Sequence, residues 1–442
     1  MKMGTARWCI TPPMPLRLCG YASRRGMFTS IEEDIFLRVQ LHGDGESIIA
    51  FLYADILWWG TDFVETLRPL IHEELGIPPE QVFFVASHNH SGPPTGSRFT
   101  PTLETVHTGY IAFLKQAVLD GLRRAHENME DVTAELCKGE SALNVFRRVQ
   151  GADGVEMRPN YHVPADSHLT VLAFRRADGS LKGSMIHYAC HANLSGDNTV
   201  QPDYPGVLLR LMDEAYPGSV PLFLQGCTGD LRPNSVLGDR FCSVHYTEVC
   251  QFASRLFDAC IRLLEEGGTS VVPELRVRRT EVRLPFENRL SLEELHKIVN
   301  KGEGIQCEWA QKVMEHSEET AGRMEISRIR YGEALSLYTF NAEMSQYYAA
   351  FARELEPGSL SVAYCNGMIG YISTAQQIRE GGYEPKESSL FFALPGTYPE
   401  TIEGIIQEAM RSLRSEEDNR IGKERSIHAD RDTSAPAACT KL

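Results

Sequence analysis

The chain has no Cys-x-x-Cys pair, no long apolar run and no excess of positive charge, and each absence narrows what it can be. Its eleven cysteines are an odd number scattered singly over 442 residues. That usage fits reduced thiols in a cytoplasmic protein rather than a disulfide framework. Cys190, Cys227 and Cys365 sit inside apolar stretches, which argues for inert thiols rather than nucleophiles. The N-terminal stretch MKMGTARWCITPPMPLRLCGYA lacks the apolar core of a signal peptide. The most apolar window, Ile48 to Trp59, is interrupted by Asp55 and is too short to cross a bilayer. A formal net charge of −15 argues against nucleic acid or an anionic membrane as the main partner. No Gly-x-Ser-x-Gly elbow stands between a strand and a helix, so a serine hydrolase of that kind is disfavoured.

What is present is an ordinary globular composition, with 42% apolar and 23% charged residues. No internal linker stands out, so one catalytic unit over 1–414 is expected, with 415–442 a polar tail. Two parts of the chain share a layout. In the first, apolar runs flank Gly43-Asp44-Gly45 as in a β-hairpin. A helix capped near Thr61 or Asp62 and stopped at Gly76 follows, then a strand to Ala86. In the second, a hairpin turns at Asp178-Gly179, a helix covers about 204–216, and the strand VPLFLQG runs into CTGDLRPN. Further strands are expected around 131–140 and 271–285, and helices near 104–127, 245–266, 291–316 and 400–414. The stretch GSLSVAYCNGMIGYIST reads as a strand pair with a glycine turn. The fold class is therefore α/β, with mixed sheets flanked by helices. Internal duplication and shared α/β grammar explain the repeated order equally well. Under duplication, Asp55, His88, His191 and Asp230 all fall at strand ends, where α/β sheets bind ligands.

The polar signals are individually ambiguous. His88-Asn89-His90 follows a run of β-formers, and a continuing strand would put both rings on one face. Such a pair is a metal site or merely polar surface. His187 and His191 bracket Tyr188-Ala189-Cys190, a spacing that suits either a strand or a helix, and either ring could be a core histidine. Asp230 lies in a glycine-rich turn. Glu343 opens a helical pattern, where a carboxylate often only matches the helix dipole. Tyr371 stands in a strand, usually a packing position.

Taken in order, ITPP…GYA, SHNHSGP, HYACHANLS, GDLRPN, NGMIGYIST and REGGYEP resemble the catalytic domain of the neutral, non-lysosomal ceramidases. The resemblance runs from about Thr11 to Leu413. It implies an amidase with one Zn²⁺ per chain, held by His88, His191, Glu343 and Tyr371, with Glu333 of YGEA the alternative carboxylate. It also implies that His90 is a catalytic neighbour of the ion and that Arg147, or Arg148 beside it, holds the substrate carbonyl. The leaving amine would take its proton from His90 or Tyr371. Asp230 joins the catalytic candidates, and Asp55, Asp203 and Asp230 would orient the histidines. The implied substrate is a small-molecule or lipid amide such as a sphingolipid.

Two positions depart from the family pattern. Asn89 replaces the usual threonine, and Arg232 replaces a serine. A guanidinium near the site suits an anionic amide or ester better than a lipid tail. The rival readings are thus a zinc hydrolase of such a substrate and an inactive binding protein on the same fold.

Overall fold

The computed structural model describes residues 1–415 except Pro273, so the tail expected over 415–442 lies, Ser415 apart, outside the described residues. The architecture is mixed α/β, and its order of elements repeats three times, not twice. Each repeat contributes one strand, then a hairpin, then a helix, then a strand that returns parallel to the hairpin's second arm.

In the first repeat these are Lys2–Cys9, Phe36–Gly43 with Ile48–Ala54, helix Thr61–Leu75 and strand Val82–Ala86. In the second they are Thr133–Glu140, His168–Arg175 with Leu181–Tyr188, helix Asp203–Ala215 and strand Val220–Gln225. In the third they are Leu275–Pro285, Ala321–Tyr331 with Leu335–Phe340, helix Gln346–Leu355 and strand Leu360–Val362. A long helix closes each repeat: Thr108–Glu127, Tyr246–Glu266 and residues 402–415.

Local chemistry explains the hairpins. Asp44 Oδ1 accepts from the backbone of Glu46 and Ser47, and Gly45 takes a φ of 101° that a side chain would resist. Asp178 Oδ1 accepts the Ser180 N–H in the same way. The third hairpin turns at Gly332 with no Asp-Gly signal, so the sequence pattern did not show it.

The stretch 358–374 does not form a strand pair. Leu360–Val362 joins the third sheet, while Tyr371–Ile372 pairs with Glu343–Met344. A short three-stranded sheet, Leu231–Pro233 with Asn144–Gly151 and Gly154–Asn160, was also not legible. The helix expected over 291–316 is two helices, Leu292–Val299 and Ile305–Glu315, with Gly302 and Gly304 between them.

Most sheet strands are buried on both faces. Leu37, Val39 and Leu52 pack with the first repeat's helices, while Phe51, Tyr53, Phe83 and Val85 face the other sheets. The three returning strands converge at their ends. Ala86 N–H donates to the Tyr364 carbonyl at 3.2 Å, and Ala363 N–H donates to the Gln225 carbonyl at 3.0 Å. Gln225 Nε2 donates to the Ser87 carbonyl at 2.9 Å. Everything that leaves these strands therefore meets in one place. No described helix is long and apolar enough to cross a membrane.

Candidate metal centre

The first returning strand stops at Ala86, and His88 takes a φ of 62°. That left-handed turn breaks the period-two argument for His-x-His, because the strand does not continue. The rings meet through the loop instead. His88 Nε2 lies 2.9 Å from His191 Nε2, and His90 Nε2 lies 3.2 Å from the first and 3.1 Å from the second. His191 arrives from the hairpin arm of the second repeat, just past Tyr188.

The three rings share one tautomer. His88 Nδ1 donates to the Leu57 carbonyl at 3.1 Å, His90 Nδ1 to Gly20 at 3.0 Å and His191 Nδ1 to Thr228 at 3.3 Å. A carbonyl only accepts, so each Nδ1 carries the proton and each Nε2 presents a lone pair. Burial, then the neighbouring His88, holds His90 and His191 well below the ordinary histidine range. Three lone pairs aimed at one point repel unless a cation lies among them. Ligand nitrogens at a Zn–N bond of about 2.05 Å stand roughly 3.3 Å apart in a tetrahedron, close to the spacings here. His88, His90 and His191 fit a divalent ion by geometry and by donor chemistry.

The third repeat supplies the carboxylate. Glu343 follows its hairpin arm, and its Oε2 lies 3.3 Å from His88 Nε2. Glu343 also pairs in register with Tyr371, which puts both side chains on one face. Glu333 is exposed in the Gly332 turn at the far end of that hairpin, so it is not the carboxylate of this site. Burial, then the Glu343 carboxylate, pushes the Tyr371 phenol well up, and the Arg147 guanidinium acts the other way.

Arg147 and Arg148 separate cleanly. Arg147 stands over the Tyr371 ring at 5.5 Å, and its Nε donates to Glu384 at 2.8 Å. Its Nη2 is buried without a hydrogen-bond partner among the described residues. Arg148 points away and is taken up by Glu384, Glu380 and the Gly381 carbonyl.

The expected aspartates are placed differently. The Asp55 carboxylate accepts from Phe36 N–H and from the Tyr53 hydroxyl, and burial pushes it up to about 6. The Asp203 carboxylate accepts from the Leu194 and Tyr204 N–H groups, and burial pushes it up to about 7. The Asp230 carboxylate is filled by Ser345, the Gln346 N–H and Gln377, at the start of the third repeat's helix. None of the three orients a histidine ring, because backbone carbonyls hold every Nδ1. Asp230 instead braces the loop: its own carbonyl accepts the Arg147 N–H at 2.9 Å. His187 Nε2 donates to the Ser361 carbonyl, 2.9 Å away, as a core histidine.

Several participants had no sequence signal. Tyr364 stacks on His88 with centroids 3.9 Å apart, and its hydroxyl meets Thr228 at 2.6 Å and Glu343 at 3.4 Å. Arg24 ties the loops beside His90 together, donating to the carbonyls of Cys19, His90 and Asp197. Glu384 is held between Arg147 and Arg148.

No protein-family model matches the sequence, and no curated protein matches it. Solved structures do share the fold. The neutral ceramidase from Pseudomonas aeruginosa is 17% identical, with a TM-score of 0.74 over 93% of this chain and 73% of that one. A ceramidase complexed with C2 is 16% identical, with a TM-score of 0.76 over 95% of this chain and 75% of that one. The fold expected from the sequence motifs is the fold observed.

Proposed function

We propose that this chain is a zinc-dependent hydrolase of carboxylic amides, of the neutral ceramidase kind. The observation that carries the reading is the convergence of three Nε2 lone pairs, with Glu343 beside them, on a fold shared with ceramidases. His88, His191 and Glu343 are assigned to hold one zinc ion, with Tyr371 facing them. Zinc held by such a set supplies Lewis acidity: it polarises a carbonyl and makes water a stronger acid.

The chain's own groups supply the rest. His90 is 8% exposed, against 0% for His88 and 1% for His191, so it is the ring that faces incoming substrate. Its Nε2 accepts a proton from the attacking water and returns it to the departing nitrogen. Arg147 Nη2 donates to the carbonyl oxygen as negative charge builds there, a contribution of about 3 kcal/mol for one donor. The Tyr371 phenol, pushed well up by burial and then by the Glu343 carboxylate, is a second donor to that oxygen or to the leaving group. Glu384 holds Arg147 in position.

The test is turnover of N-acyl amides of graded chain length. Hydrolysis is expected to vanish on chelation and to return with added zinc. Hydrolysis that persists unchanged after chelation, with metal analysis showing none bound, would refute the reading.

A further inference from the structure

Arg232, beside the site, has no acidic partner among the described residues and, unlike Arg24, no backbone carbonyl in its place. It lies on the Leu231–Pro233 strand, in register with Val145 of the neighbouring strand that carries Arg147. Its electrostatic neighbours include Tyr21, Arg147 and Tyr371, and its charge acts on both His90 and His191. It is therefore at the metal centre's edge. Arg147 and Arg148 share Glu384, and Arg148 also has Glu380. Arg232 has only a slot: the Phe241 ring at 4.7 Å and a weak contact from Nη1 to Met157 Sδ at 3.9 Å. Its Nε is buried without a hydrogen-bond partner among the described residues, as is Nη2 of Arg147.

An unpaired guanidinium held partly out of water is costly. Acids are not scarce in this chain, which has 59 of them against 44 Lys and Arg. Yet none among the described residues is placed against Arg232. The slot restrains the side chain while leaving part of its donor fork free, the arrangement that suits a planar or tetrahedral anion.

We propose that Arg232 is a recognition subsite for an anionic group, a carboxylate or a phosphonate, borne by the substrate next to the scissile amide whose carbonyl Arg147 holds. This deepens the amidase reading and rests on it. A substrate so recognised is an N-acylated amino acid or a related acidic amide rather than a neutral lipid amide.

The probes are isosteric pairs. N-hexanoylglycine against N-hexanoylglycinamide puts the charge on the amine side, and N-hexanoyl-aminomethylphosphonate tests the tetrahedral anion there. N-succinyl-hexylamine against its terminal carboxamide puts the charge on the acyl side. A charged hydrogen bond predicts a kcat/KM ratio, anion over neutral, of about 10 to 100 in one pair. Arg232→Met is expected to bring that ratio to about one, and Arg232→Lys to restore part of it. A ratio near one in every pair, or a ratio that survives Arg232→Met, overturns the subsite. Neutral amides turned over without discrimination would sink the subsite alone. If no amide were turned over, the amidase reading would fail, and calorimetry would still decide the subsite. There the ligands are the ketone analogues of the glycine pair, with CH₂ in place of the amide NH. The acid is expected to bind at least about tenfold tighter than its carboxamide, and equally in Arg232→Met. Equal binding to the wild-type protein would overturn it.

Discussion

The carbonyl oxygen of Gly20 accepts a hydrogen bond from His90 Nδ1 at 3.0 Å, and Gly20 has no room for a side chain. A Cβ built there falls 2.6 Å from that same nitrogen, and the backbone φ of 96° already disfavours anything but glycine. Gly20→Ala is therefore expected to push the His90 ring out of line. A displacement of about 1 Å at a catalytic group costs on the order of 100-fold in kcat. Steady-state kinetics at matched zinc content checks this, and an unchanged kcat would mean that the ring's position is not set by residue 20.

His90→Ala separates a catalytic neighbour from a ligand. The ring lies as close to His88 and His191 as they lie to one another, so the distances leave both roles open. Its slightly greater accessibility, 8% against 0% and 1%, favours the catalytic role. The expected outcome is retained zinc with kcat lowered by about 10²- to 10⁴-fold. Loss of zinc from this variant would make His90 a ligand.

Glu384→Gln removes the carboxylate shared by two buried guanidiniums. Breaking a buried pair in this way costs about 3 kcal/mol or more, because the charges left behind are uncompensated. Urea denaturation should show that loss, and kcat/KM should fall as Arg147 loses its position. A variant of full stability and activity would show that Glu384 supports neither arginine.

Stability should also depend on His42. It is fully buried in the first sheet, between the Tyr331 hydroxyl at 2.6 Å and Gln40 Oε1 at 3.0 Å, and burial pushes it down to about 3. The unfolded chain binds a proton there below about pH 6.5, and the folded chain does not until about pH 3. Stability contributed by this residue is complete above pH 6.5 and declines by about 1.4 kcal/mol per unit as pH falls below it. His42→Phe is expected to lower stability at pH 7.5 yet flatten its decline between pH 6.5 and 5. A slope equal to the wild-type slope would contradict the assignment.

Much of the site was legible because its residues stand at strand ends, and hairpins, helices and parallel returns leave periodic traces. The third repeat was not, because its hairpin turns at Gly332-Glu333, without the Asp-Gly chemistry of the other two. That obscured where Glu343 belongs, since its position follows from being the end of a hairpin arm rather than the start of a helix. Asp55, Asp203 and Asp230 misled for a related reason. Carboxylates at strand ends look like histidine partners in a sequence, but here they satisfy backbone N–H groups. The groups that fix the rings are the carbonyls of Gly20, Leu57 and Thr228, and a carbonyl has no residue type by which to be found. Arg24 and Tyr364 act through loops whose course no local pattern sets.

The central claim is that one ion is gathered by side chains from three repeats of the chain. Zinc content, measured by elemental analysis of the wild-type protein and of His88→Ala and His191→Ala, tests it most directly. The account predicts roughly one zinc per chain in the wild type and almost none in either variant. Zinc that stays at one per chain in both variants would contradict it.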